Sequence, residues 1–290
     1  MRPILVEVVR GGVIEAHHRV HAVAVSGGEV VASAGDPALE TLFRSSAKPI
    51  QALPLARLRP ELDDAAVAIT CASHLHRPDQ LAPVQSLLNA AGATEGDLEC
   101  GPEPTRIEHN CSGKHAGMLL LCRVNGWPRE GYRLASHPCQ QAMLVEVASA
   151  AEVTAEAMPT AIDGCGVVTF GLRLERMAHA FSRIEGLEGG ARVVEAMRAR
   201  PELVRGDWAP DTELMRLGEG WIAKGGAEGL LCAARDGLGI ALKVEDGAQR
   251  PIGPALAAFL GDVGLAAGEL ASAPVVNSRG DVVGELRVTT

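Results

Sequence analysis

Leu230-Leu231-Cys232-Ala233-Ala234-Arg235-Asp236-Gly237-Leu238-Gly239-Ile240-Ala241-Leu242 is the stretch whose reading decides the fold. Asp236-Gly237 divides two apolar runs, and Asp-Gly in that position is among the strongest short hairpin signals. Working outward, Asn277-Ser278-Arg279-Gly280 separates Pro274-Val275-Val276 from Val282-Val283-Gly284-Glu285-Leu286 in the same way. At the other end, residues 4–9 and 21–25 are apolar and β-branched. Gly27-Gly28 parts Val23-Ala24-Val25 from Val30-Val31-Ala32, a further hairpin signal. The middle reads as helix. Pro78 opens a run to Ala91 that Gly92 closes, the usual Pro-first, Gly-last asymmetry. Lys114 to Val124, Pro138 to Ala150, Ala191 to Ala199 and Pro254 to Leu260 follow, and Ala65–Thr70 reads as a short apolar strand. The prediction is an α+β fold in one domain over residues 1–290. Its antiparallel sheet comes from 1–35 and 220–290, flanked by helices, and the stretch 45–215 is largely helical.

Composition narrows the function. In 290 residues, 47% are hydrophobic and only 3% aromatic, so aliphatic side chains must build the core. The net charge of −9 and the lack of any basic run argue against nucleic acid as partner. No stretch of about 18 apolar residues exists to span a membrane. The N-terminal apolar run is broken by Glu7 and reads as a strand, not an export signal. The seven cysteines are then expected reduced, and the cytoplasm is the expected location.

The chemistry lies in short segments: Ser45-Ser46-Ala47-Lys48, Ser73-His74, Cys111-Ser112-Gly113-Lys114-His115, Asp163-Gly164-Cys165-Gly166 and Lys224-Gly225-Gly226. Serine is a poor nucleophile near neutral pH and needs a base. A lysine three residues on lies on the same helical face. Pro49 requires that turn to sit at a helix start, where the missing N–H costs little. A second serine and a second lysine in the same order suggest a two-part proton relay for acyl transfer. Ser46 as an N-cap beside a solvated Lys48 is the plainer reading. Ser73 equally suits a cap for the helix beginning near Pro78, and Lys224-Gly225-Gly226 is either a glycine-rich turn or an edge strand whose lysine binds a carboxylate or polarises a second serine. Functionally, Gly225 and Gly226 let a substrate backbone approach closely. Asp163 fixes the α-amino group of an amino acid, orients a neighbouring lysine, or bonds its own turn. Cys111 and Cys165 suit tetrahedral zinc with one nitrogen donor, for which spacing alone nominates His109 or His115. Buried structural thiols and a nucleophilic cysteine stand beside that reading.

Taken together these segments resemble one family nearly end to end: the Rhizobium etli-type L-asparaginases, or class 3 asparaginase II family. The resemblance runs through Leu5-Val6-Glu7-Val8, Arg44-Ser45-Ser46-Ala47-Lys48-Pro49, Cys71-Ala72-Ser73-His74, the segment from His109 to His115, Asp163 to Gly166, and Ala223 to Gly229. It implies a fold like that of serine β-lactamases and penicillin-recognising enzymes, and hydrolysis of L-asparagine to L-aspartate and ammonia. It implies Ser45 as nucleophile with Lys48 as its base, and Ser73 with Lys224 as a second pair. His115, Asp163, Arg44 and Gly225 would meet the substrate. Zinc would be held by Cys111, Lys114 and Cys165, with the Lys114 amine in place of a histidine, and would tune substrate binding. The resemblance also implies a homodimer. Leu75-His76-Arg77 stands where the family has a small residue, glycine and glutamate, and Val168 where it often has proline. Arg77 is thus expected to alter the charge of the pocket. A β-lactamase-like hydrolase or esterase, and a non-catalytic zinc or amino-acid binding protein, are the alternatives.

Overall fold

The structure, a computed structural model, describes residues 1–217, 220–271 and 273–289. Eleven strands are formed among them: β1 (Ile4–Arg10), β2 (Val13–Ser26), β3 (Glu29–Ala34), β4 (Glu40–Leu42), β5 (Thr160–Ile162), β6 (Val168–Arg173), β7 (Ile222–Gly226), β8 (Leu230–Arg235), β9 (Leu238–Val244), β10 (Pro274–Val276) and β11 (Val282–Thr289). The main sheet runs β10-β11-β1-β2-β9-β8-β7, with β3 paired to β2 as its eighth strand. Every pairing in it is antiparallel, and both ends of the chain contribute. Thus the expected α+β architecture is observed. The strand β2 is much longer than its apolar core at 21–25 suggests. Its first half pairs with β1 from Ile4↔Val20 onward, while Val20 to Ser26 lie on β9 from Val20↔Val244 to Ser26↔Leu238.

Ala22, Val23, Ala24 and Val25 of β2 are all buried, although successive residues of a strand point to opposite faces. Both faces are therefore covered, and the helices Leu174–Arg183 and Ile252–Asp262 pack against this part of the sheet. The expected helices form at Pro78–Ala91, Ser112–Asn125, Pro138–Ala151 and Gly190–Ala199. The few aromatics are mostly interior: Phe43, Tyr132, Phe170, Phe181 and Trp221 are fully buried.

Two expectations fail here, and a third is incomplete. Ala65–Thr70 belongs to a helix, Asp64–Thr70, not a strand. Asp63 caps it by accepting the Ala66 N–H at 2.8 Å, and a capped run of small residues favours helix over strand. Lys224-Gly225-Gly226 is not a turn but the buried body of β7. The middle of the chain, although largely helical, also holds a small sheet ordered β4-β6-β5.

Candidate active site

Ser45 sits on a 3-10 turn, Arg44–Ala47, that runs into the short helix Lys48–Gln51, with Pro49 in its first turn as the sequence requires. Two things pin this turn. Arg44 takes a positive φ of 47°, unusual for a non-glycine residue, and its N–H donates to Thr169 Oγ1 on β6 at 3.0 Å. Ser46 Oγ donates to the Lys224 carbonyl on β7 at 2.8 Å. Ser46 is therefore an anchor rather than a cap. A Cβ on Gly226 would stand 2.9 Å from Ser46 Oγ, and one on Gly225 2.7 Å from an Arg205 terminal nitrogen and 3.1 Å from Asp211 Oδ2. The two glycines thus make room for the protein's own side chains, not for a substrate backbone.

Lys48 is wholly buried, so the solvated reading fails. Its Nζ donates to the Ala72 carbonyl, to Ser73 Oγ at 3.1 Å and to Cys111 Sγ at 3.3 Å. The amine expected to serve Ser45 therefore rests on Ser73. Among the described residues the part-buried Ser45 hydroxyl has no hydrogen-bond partner, and Ser73 and Lys224 are not bonded to each other. Lys224, also wholly buried, donates to the Gly225 carbonyl at 2.6 Å and lies 3.7 Å from Asp211 Oδ2. Burial chiefly, with Lys48 and Arg205 adding, outweighs Asp211 and lowers its amine to about 7. Two buried lysines occupy one interior region, and Lys48 opposes the charge of Lys224. Asp211, missed in the sequence, is itself fully buried and accepts the Gly225 and Thr212 N–H groups. Its only sequence signal was its place just after Pro210 in a helix's first turn.

Ser73 does not cap the helix Pro78–Ala91; that position falls to Arg77, with Gln80 folding back onto the Arg77 and Leu75 N–H groups. The Arg77 guanidinium is held by Asp79 at 2.9 Å and the Glu202 carbonyl at 3.0 Å, so its charge is paired there rather than left free for a pocket. His74 acts structurally. Ser112 Oγ donates to Ile107, so His74 Nε2 donates to Ser112 Oγ at 2.8 Å, and its Nδ1 accepts the His76 N–H. Burial foremost, then Lys48, lowers the ring to about 3, which keeps it neutral.

The Cys111 and Cys165 thiols lie within hydrogen-bonding reach of each other. Asp163 to Gly166 form the hairpin turn from β5 to β6, closed by Gly166 N–H to the Asp163 carbonyl at 2.9 Å. Gly113 brings the helix Ser112–Asn125 against Ile69, whose carbonyl would lie 2.2 Å from a Cβ there. Lys114 Nζ then reaches Cys165 Sγ at 3.1 Å. The Cys111 thiol bond first, then Lys114 and His115, hold Cys165 far below the usual thiol range, while that same bond and burial raise Cys111. Despite burial, the Cys165 and Cys111 sulfurs and Asp163 raise the Lys114 amine. His109 Nδ1 accepts the Cys111 N–H at 3.0 Å, so it is not the nitrogen facing both sulfurs. His115 Nδ1 bonds the Tyr132 hydroxyl at 2.6 Å, and its buried Nε2, beside Cys165, has no partner among the described residues. Asp163 Oδ1 accepts Arg44 Nε at 2.7 Å, which pairs two residues expected to face substrate. Val168 departs from proline usefully: its N–H donates to Gln140 Oε1 at 3.4 Å.

The sequence profile of the L-asparaginase II family matches residues 6–288. The chain belongs to that family. Asparaginase II membership implies hydrolysis of asparagine, a small amide substrate. No curated protein matches the chain. Among solved structures it is similar to the octameric penicillin-binding protein homologue from Pyrococcus abyssi, with 11% identity, 86% of this chain and 74% of that chain covered, and a TM-score of 0.41. A β-lactamase from Mycobacterium bovis is similar at 13% identity over 79% of this chain and 88% of that one, with a TM-score of 0.34. Among the described residues of this asparaginase II, no helix is long and apolar enough to cross a membrane.

Proposed function

We propose that this asparaginase II is of the Rhizobium etli type and hydrolyses L-asparagine through a serine ester. The observation that carries the reading is the buried Lys48 amine, bonded to Ser73 at 3.1 Å and one turn after the unpartnered Ser45 hydroxyl. Ser45 Oγ attacks the side-chain amide carbon and its proton passes to Lys48 in the neutral amine form. Ser73 relays that proton to the amide nitrogen, the C–N bond breaks and ammonia leaves. Water then attacks the aspartyl ester, gives a proton back through the same relay, and restores Ser45 with release of L-aspartate. Lys224, neutral above about pH 7, is the second acceptor in the crevice. The Ser45 N–H suits the oxyanion, where one donor is worth roughly 2.7–4 kcal/mol.

Zinc is part of the proposal. Its ligands would be those the family resemblance implies, Cys111, Cys165 and the Lys114 amine, whose Nζ lies 3.1 Å from Cys165 Sγ. The buried sulfur pair and the orphaned His115 Nε2 fit such an ion. When bound, its charge would favour both thiolates and the neutral lysine and orient the substrate's polar groups.

The Ser45→Ala variant is expected to keep its fold and lose ammonia release; near-normal turnover would refute the mechanism. The Lys48–Ser73 bond favours a second assignment, with Ser73 as nucleophile. An acid-quenched digest decides between them, since the aspartyl mass rides on the peptide holding Ser45 or on that holding Ser73.

A further inference from the structure

Two arginines stand near the crevice, and they differ in one respect. Arg44 is committed: Asp163 holds its Nε at 2.7 Å and Glu228 lies 4.0 Å from its NH1. Arg205 is not. Its guanidinium has no hydrogen bond or ion pair among the described residues, only the Trp208 ring 5.9 Å away. It lies against β7 beside Gly225, where a Cβ would come 2.7 Å from its terminal nitrogen. That is one residue from Lys224, whose charge Arg205 opposes. The far side of Arg205 opens on a groove of about 700 Å³, lined also by Trp208, Pro210, Gln249 and Pro254. Gln249 fixes the groove to the crevice, since its Nε2 donates to the Gly226 carbonyl at 3.0 Å.

No carboxylate among the described residues hydrogen-bonds or ion-pairs with the Arg205 guanidinium. Asp211 Oδ2 is taken by the Gly225 N–H and faces Lys224. Across the groove Glu213 lies 3.7 Å from Arg216, and Arg250 bonds the ring of His18 at 2.9 Å. A planar guanidinium without an acceptor, beside a catalytic strand and open to a groove, is suited to a bidentate carboxylate.

We propose that Arg205 binds the α-carboxylate of the amino-acid substrate, entering from this groove. The proposal rests on the amidohydrolase reading above and adds a specificity-determining residue to it. It makes the groove the entrance for substrate, and it assigns Arg44 to holding Asp163 instead of the substrate's carboxylate.

The test compares L-asparagine with β-alanine amide, which carries the same amine and amide but no carboxylate. The latter is read as substrate or, where turnover is slow, as competitor. In Arg205→Gln, kcat/KM for asparagine is expected to fall about 10- to 100-fold, mostly through KM, since hydrogen bonds to a charged group are being lost. The constant for β-alanine amide should change far less, so the ratio between the two contracts at least about tenfold. Arg205→Lys, which keeps charge but not the fork, should fall between, and it replaces the glutamine variant if that one melts early. Equal losses for both compounds would mean that Arg205 acts only through its field at Lys224, and no loss would mean no role; either overturns the proposal. If the wild type releases no ammonia from asparagine, the amidohydrolase reading fails by itself. Calorimetry with L-aspartate then decides on Arg205: binding by the wild type that Arg205→Gln abolishes sustains the carboxylate site, and absent or unaltered binding overturns it.

Discussion

Replacing Lys224 by methionine should change how stability depends on pH more than it changes the fold. The native amine titrates near 7, against 10.5 for an ordinary lysine. Above pH 10.5 the amine is neutral in both folded and unfolded chains and costs nothing. As pH falls toward 7 the unfolded chain binds the proton first, so the native state loses stability throughout that window. Below 7 both states are charged and the loss is complete, roughly 5 kcal/mol in total at about 1.36 kcal/mol per pH unit. Between pH 7 and pH 9 the change is roughly 2 kcal/mol, enough for several degrees in a melt. The variant also leaves Asp211 without its amine, which costs stability at every pH where that carboxylate is charged. The absolute difference from wild type is therefore a poor test, and its pH dependence is the sharp one. Thermal and urea melts of both proteins at pH 7, 8 and 9 should show the wild type gaining on Lys224→Met by roughly 2 kcal/mol across the series. Parallel curves would refute the reasoning, because they would mean that Lys224 is charged in the native state. The same titration should appear in catalysis as a wild-type kcat/KM that rises with pH through about 7.

Asp211→Asn removes the group that pulls the Lys224 amine upward, so the acid limb of the pH–rate profile should move to lower pH, with the profile itself as the readout. Gly226→Ala drives a Cβ to 2.9 Å from Ser46 Oγ and 3.3 Å from Ser46 N, which must shift the turn carrying Ser45. A fall in kcat of up to about tenfold is expected, because the turn must give by a few tenths of an ångström and a full ångström at a reacting group can cost about a hundredfold. Cys165→Ser removes one of two sulfurs from the proposed zinc ligands, and elemental analysis should find its metal content well below that of the wild type after identical loading.

Much of the fold was legible because its signals are local. Asp236-Gly237 and Gly27-Gly28 specify hairpins by their own backbone freedom, and the helix from Pro78 to Gly92 carries both its start and its stop. What failed had no such marker. Ala65–Thr70 is six small or apolar residues, a run too short for periodicity to separate strand from helix, and Asp63 decided it. The glycines after Lys224 looked like turn residues, yet β7 uses them to admit Ser46, Arg205 and Asp211. A strand that needs bare backbone on one side is indistinguishable in sequence from a loop.

The candidate site shows a different limit. Its members were legible, because Ser45, Lys48, Ser73, Cys111, Lys114, Asp163, Cys165 and Lys224 each stand in a short segment of unusual composition. Their partners were not. Spacing of three predicted that Lys48 meets Ser45, and spacing is a statement about one helix alone. A buried lysine head group needs several partners, and a part-exposed serine supplies only one. The Ala72 carbonyl, Ser73 Oγ and Cys111 Sγ supply three, from two segments brought together by the close contact of Gly113 with Ile69. The demand for complete hydrogen bonding in a dry interior outweighed the local geometry. It did so through residues 24 to 63 positions away, which no local reading of Ser45-Ser46-Ala47-Lys48 can weigh. Arg205 is the opposite case: its guanidinium finds no such acceptors among the described residues, and it lines an open groove.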